Sequence, residues 1–180
     1  ADAKSRVYGA ANPTFTATIT GYVNSETSSV VSGTAAVTTT ATTTSNVGDY
    51  PITAALGSLS ATNYDFSFTN GTLTVGKAPL TITADNQTKV YGAANPALTA
   101  TITGFKNSET TAVLSGAAAV TTTATTTSTV GDYAITAAAG TLSATNYDFG
   151  FTAGTLTVGK APLTVTADAK NRTYGDANPT

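Results

Sequence analysis

The sequence predicts an all-β protein built of tandem small repeats, and three observations carry that prediction. A unit of 83 residues is written out twice and then begun again. Tyr8-Gly9, Tyr91-Gly92 and Tyr174-Gly175 each open the string YGxANP, and residues 1–83 match residues 84–166 at 64 of 83 positions without insertion. A period of this length marks an array of similar folded units. Second, apolar residues alternate with Thr through most of the unit, the period of a strand with one buried face. Third, the composition suits pleated backbone. There are 42 Thr and 32 Ala, with 14 Tyr plus Phe and only 10% charged residues. The branched Thr side chain packs well on a strand, whereas disordered chains carry high charge and few aromatics.

Taken in order, the elements begin at the joints. GKAPLT occurs at residues 76–81 and again at 159–164. The structural joints are therefore Gly76, Lys77, Ala78, Pro79 and Gly159, Lys160, Ala161, Pro162. Proline fixes φ and holds the preceding residue extended, so each joint is short and stiff. The joints divide the chain into 1–77, a unit lacking its first strand, 78–160, a complete unit, and 161–180, the start of a third. Because that third copy breaks off at Thr180, the chain is read as a window of a longer array. Within the complete unit, Leu80, Ile82 and Ala84 share a face, as do Leu98, Ala100 and Ile102. Tyr133, Ile135 and Ala137 form a third such face, Tyr147, Phe149 and Phe151 a fourth, and Leu156 and Val158 a fifth. Asn70-Gly71, between FSFT and TLTV, predicts a two-residue hairpin turn. NSETTAVLSG (107–116) predicts one short helical turn capped by Asn107 or Ser108 and stopped at Gly116. TTTATTT (38–44 and 121–127) predicts an edge strand with Thr on both faces. The strand count fits small immunoglobulin-like β-sandwich repeats. The alternative is β-grasp-like repeats with one short helix.

The composition also excludes chemistry. The chain has no Cys, His, Met or Trp. Disulfides, cysteine or imidazole metal ligands and His-based triads are therefore ruled out. Net charge is −2 with no Lys/Arg patch, so nucleic acid is not an expected partner. No apolar run is long enough to span a membrane.

The remaining candidates each have a plainer reading beside them. Asp49, Asp132, Asp65 and Asp148 would need to pair across a cleft to act as a hydrolase; turn and surface roles account for them. Calcium is weighed at Asp2, Asp85, Asp168 and Asp176, which lie near the joints or the YG loop but form no DxDxD cluster. No cofactor is expected. Lys89, Asn146 and Glu109 are the residues available for an internal Lys–Asn bond. The loop residues Tyr8, Gly9, Asn12, Pro13 and Tyr91, Gly92, Asn95, Pro96 admit a sugar-stacking reading through the tyrosine. The simpler reading is a turn in which Gly supplies positive φ and Asn-Pro ends the loop.

These strings also match a known family. KAPLTITAD (77–85), KVYGAANP (89–96), LTATITGF (98–105), TAVLSG (111–116), VGDYAIT (130–136), LSATNYDF (142–149) and GTLTV (154–158) resemble the MBG repeat of YGX type, which occurs in very long bacterial surface and secreted proteins. The match covers essentially the whole unit. The resemblance implies tandem β-rich modules in adhesin-like or filament-like proteins and transfers no catalytic residue. The expected role is a non-enzymatic spacer or scaffold of an extracellular stalk or filament. The alternative is a multivalent module binding glycans or a surface receptor. Neighbouring repeats are the expected partners. Leu163 and Val165, in a spare copy of the first strand, are candidate donors for homopolymerisation by strand exchange.

Overall fold

A computed structural model describes residues 1–179. Alternating Thr and apolar residues form strands wherever a neighbouring strand is present. In chain order these are β1 (Lys4–Val7), β2 (Ala36–Thr38), β3 (Gly48–Ala55), β4 (Gly71–Gly76), β5 (Ala78–Ala84), β6 (Gln87–Val90), β7 (Ala100–Thr103), β8 (Ala119–Thr122), β9 (Gly131–Ala138), β10 (Tyr147–Thr152) and β11 (Gly154–Gly159). They make three sheets, ordered β1-β4-β3-β2, β10-β5-β7 and β6-β11-β9-β8. The protein is all-β, as its sequence predicts. No helix among the described residues is long and apolar enough to cross a membrane.

Two long bent strands tie the complete repeat together. One is β5 followed by β6, and the other is β10 followed by β11. They pair in parallel at one stagger throughout, with Tyr147 opposite Ala78 and Leu156 opposite Gln87. Each passes from one sheet into the next at its bend, a corner device of strand-switching sandwiches. β9 pairs antiparallel with both β11 and β8. Alternation gives the buried faces of Leu80, Ile82 and Ala84 on β5, Ile135 on β9, and Leu156 and Val158 on β11, whereas on β10 Tyr147 is buried but Phe151, expected on the same face, is exposed.

Two local expectations are corrected and a third holds except for its cap. The Asn-Gly hairpin does not form. Gly71 opens β4, and its counterpart Gly154 opens β11 just after the bend at Ala153. The glycine is needed for close backbone approach rather than for a turn. A Cβ on Gly154 would overlap the Ala84 carbonyl, and one on Gly71 would meet the Ala1 carbonyl oxygen at 2.6 Å. The 107–116 segment forms the expected short helical turn, a 3₁₀ turn at Thr111–Val113, but its cap is Thr110 rather than Asn107 or Ser108. Asn107 and Ser108 lie before it in the left-handed region, with φ of 53° and 59°. The TTTATTT run leaves the edge strand early. β2 ends at Thr38 and β8 at Thr122, and the chain then turns inward to bury Ala41 and Ala124. Thr hydroxyls brace that loop, as where Thr39 donates to the Pro51 carbonyl at 2.8 Å.

The cores do not follow the sequence repeats. One cluster joins Tyr8, Ile52, Leu73 and Val75 of the first repeat to Leu80, Ile82 and Tyr147 of the second. A second cluster gathers Ala84, Ala124, Ile135 and Leu156. The first cluster therefore seals the β1-β4-β3-β2 sheet to the β10-β5-β7 sheet, half of one repeat to half of the next.

Candidate functional site: the joint between repeats

The joint is built on a backbone that hardly pauses. β4 ends at Gly76, β5 starts at Ala78, and only Lys77 lies between them. Ala78 is buried, and Pro79 sits inside β5 opposite Asp148 of β10. Lys77 Nζ lies 3.5 Å from the Asp148 carboxylate, an exposed pair that contributes orientation more than stability.

Around this strand the two repeats interlock through polar groups far apart in sequence. The Tyr8 hydroxyl donates to Glu109 Oε1 at 2.6 Å, and the Tyr147 hydroxyl donates to Glu109 Oε2 at 2.5 Å. One carboxylate thus binds a tyrosine from each repeat. Tyr8 is only 3% exposed. Its ring meets Tyr147 edge-on at 5.6 Å, and Phe105 meets Tyr147 in the same way at 5.9 Å. Such edge-to-face pairs add to the area they bury. Burial and the Glu109 hydrogen bond push the Tyr147 hydroxyl up to about 12. The Glu109 bond, reinforced by burial, raises the Tyr8 hydroxyl as well.

Further bonds complete the joint. Asn146 accepts from the Val47 amide at 3.1 Å and donates to Asn46 Oδ1 at 2.9 Å. Asn107 donates to the Thr43 carbonyl at 3.2 Å. Gly9 adopts φ +78°, and a Cβ there would overlap the Lys106 side chain.

The other loop residues hold each repeat's own fold. Asn12 accepts from Arg6 Nε at 2.7 Å and donates to the Ala41 carbonyl at 2.7 Å. Asn95 donates to the Ala124 carbonyl at 2.6 Å. Pro13 and Pro96 follow these asparagines outside any strand, and Gly92 repeats the positive φ of Gly9 at +85°. Tyr91, the counterpart of Tyr8, is 48% exposed. Gly159 ends β11, and Lys160, Ala161 and Pro162 continue beyond it without strand structure.

The residues weighed for an internal Lys–Asn bond are not brought together. Lys89 is buried and donates to the carbonyls of Ala93 and Thr125, while Glu109 and Asn146 lie in the joint. Asp85 accepts from Thr99 and Thr101, and Asp2 from Thr16 and Thr18. Those hydroxyls hold both carboxyls below the usual carboxylate value. Among the described residues, no group of three acidic side chains converges to hold a metal ion.

A joint assembled from a YG-loop tyrosine and repeated β modules sets the context for comparison with known families. Residues 1–74 and 80–157 match the MBG domain of YGX type. The chain belongs to the MBG family. The comparison with curated proteins finds no match. The short gap between the two matched MBG segments falls at the β4–β5 crossing, where one repeat's strand runs into the next. Sequence reasoning put a joint at the Pro-bearing strings but gave Glu109, Tyr147, Asn146 and Asn107 other roles and did not bring them to it. A signal for all four was present: their counterparts Glu26, Tyr64, Asn63 and Asn24 are unchanged between copies that differ at Val23/Lys106 and Tyr22/Phe105.

Proposed function

We propose that this MBG chain is a structural repeat of a bacterial extracellular stalk or filament, a spacer that holds a distal part of a surface protein at a set distance and angle. The observation that carries this reading is the sealed joint. A strand crosses it, one hydrophobic cluster spans it, and Glu109 binds a tyrosine from each side. A flexible tether needs none of these, whereas a rod needs all of them. The adhesive alternative, if it works by a loop tyrosine stacking on a sugar, is disfavoured at Tyr8, which the joint buries, and would fall to Tyr91, which is 48% exposed.

Small-angle scattering on arrays of increasing repeat number tests the proposal. A stalk lengthens by a constant increment per repeat at fixed cross-section, whereas a flexible string grows roughly as the square root of repeat number. A glycan array run on the same samples tests the rival reading. Binding that strengthens with repeat number would replace the spacer by an adhesin.

A further inference from the structure

Every sheet here ends in edge strands, and one of them is unguarded. β10 is the outer strand of the β10-β5-β7 sheet, and at six residues it is the longest edge. Edges carry free N–H and C=O groups that invite another strand, and proteins blunt them with Lys, Pro, bulges or brevity. The other edges, β1, β2, β6, β7 and β8, have three or four residues each. β10 reads YDFGFT, with no Lys or Pro and with Asp148 as its one charge. Phe151 is 42% exposed, and its counterpart Phe68 is exposed to the same 42%. This edge lies away from the joint. Side-chain bonds between the repeats join Tyr8, Thr43, Asn46 and Val47 to Glu109, Asn107 and Asn146. Residues 64–69, the counterpart of β10, take no part in them.

The ladder with β5 decides which backbone groups point outward. The Ala78 amide donates to the Asn146 carbonyl at 3.0 Å, and Ala78 is paired with Tyr147. In a parallel pair the residues flanking the paired one make the bonds. Asp148, Gly150 and Thr152 therefore turn their backbone groups to β5. The N–H and C=O groups of Phe149 and Phe151 point away from the sheet, and no strand among the described residues lies beyond them. Gly150 sits between the two. A Cβ there would meet nothing closer than the Leu80 carbonyl oxygen, at an ordinary 3.7 Å. We propose that β10 is where two copies of this chain pair side by side, antiparallel about Gly150, so that their three-stranded sheets run on as one.

A second copy fits because the strand is complementary to itself in this register. Phe149 of one copy faces Phe151 of the other, and these are the residues whose backbone groups point outward, so each such pair exchanges both main-chain bonds. Gly150 meets Gly150 at the position without hydrogen bonds, where Cα atoms come closest, about 4.5 Å apart. The missing side chains leave room there. Asp148 faces the Thr152 hydroxyl rather than a second carboxylate. Centred on Asp148 instead, the pairing would set two like charges directly opposite, which destabilises. A net charge of −2 per chain adds little repulsion. Main-chain bonds supply affinity, and the Phe149–Phe151 contacts supply selectivity. The contact is two-fold and closes on itself, so it links chains laterally rather than end to end.

The test uses the 180-residue chain, which has no native cysteine to interfere. In an antiparallel pair, facing Cβ atoms lie about 4.5–5.5 Å apart, near enough for a disulfide with slight adjustment. Oxidised G150C is expected to run at twice 17.9 kDa in non-reducing gels. It is expected to crosslink at least about tenfold faster than T101C, a change at an exposed position on β7 at the sheet's other edge, because pairing raises the effective concentration at position 150. Light scattering on the unaltered chain is expected to show mass rising from one copy to two with concentration. G150K sets two ammonium groups face to face, and F151K sets one in each facing pair. Both variants are expected to stay monomeric with an unchanged circular dichroism spectrum, since both positions are exposed in the single chain. The inference is overturned by a chain that stays monomeric at millimolar concentration, by G150C crosslinking no faster than T101C, or by lysine variants that assemble like their parent. Any of these failures leaves the joint within the chain, and the spacer reading built on it, standing.

Discussion

Tyr8, Glu109 and Tyr147 show how three side chains set the relation of two repeats. Hydrogen bonding to the Glu109 carboxylate and burial together hold both phenols neutral to higher pH. Removing one hydroxyl deprives Glu109 of a donor without disturbing the ring packing. Tyr8→Phe is expected to cost about 1.5–3 kcal/mol in denaturant unfolding, the range for a hydrogen bond to a charged group. The same triad predicts a pH dependence. Tyr147 is raised from 10.0 to about 12 in the folded chain, so its unfolded form ionises first. Its contribution is complete below pH 10 and is lost as pH climbs through about 12. Tyr147→Phe is expected to flatten that alkaline limb of the stability profile, measured by circular dichroism. A limb that is unchanged would place the alkaline transition elsewhere.

At the scale of elements, the bend in the long paired strands is the feature that local sequence conceals. Alternation revealed which residues of β5, β9 and β11 face inward, because a period of two depends only on the strand itself. It did not reveal that β5–β6 and β10–β11 run parallel along their whole length. Asn-Gly before TLTV looks the same whether it turns a hairpin or relieves a crowded bend. The difference lies in Ala84, whose carbonyl approaches Gly154 across the parallel pair. Gly154→Ala is therefore expected to destabilise by roughly 1–3 kcal/mol through overpacking, read as a lower denaturant midpoint. A neutral outcome would mean that the crossing has room to spare. The TTTATTT run misled for a similar reason. Thr favours strands on average, but buried Ala41 and Ala124 draw the run into a loop that closes over the core.

For the whole molecule, the sequence repeat and the packed body are out of phase. The 83-residue period was legible from end to end, and the joint's position followed from the Pro-bearing strings. The shared interior was not legible, because its contacts join residues such as Tyr8 and Glu109, 101 positions apart. Linear arrays gain stability from nearest-neighbour interfaces; here part of the first repeat shares one core with part of the second, so stiffness and stability at the joint have one origin. The direct measurement is a distance distribution between the two repeats. Spin labels on cysteines replacing Thr53 and Thr136, equivalent exposed positions on β3 and β9, report it by pulsed electron resonance. A fused joint predicts one narrow distance that broadens when Tyr8 and Asn146 are both changed to Ala. A broad distribution in the unaltered joint would contradict the account.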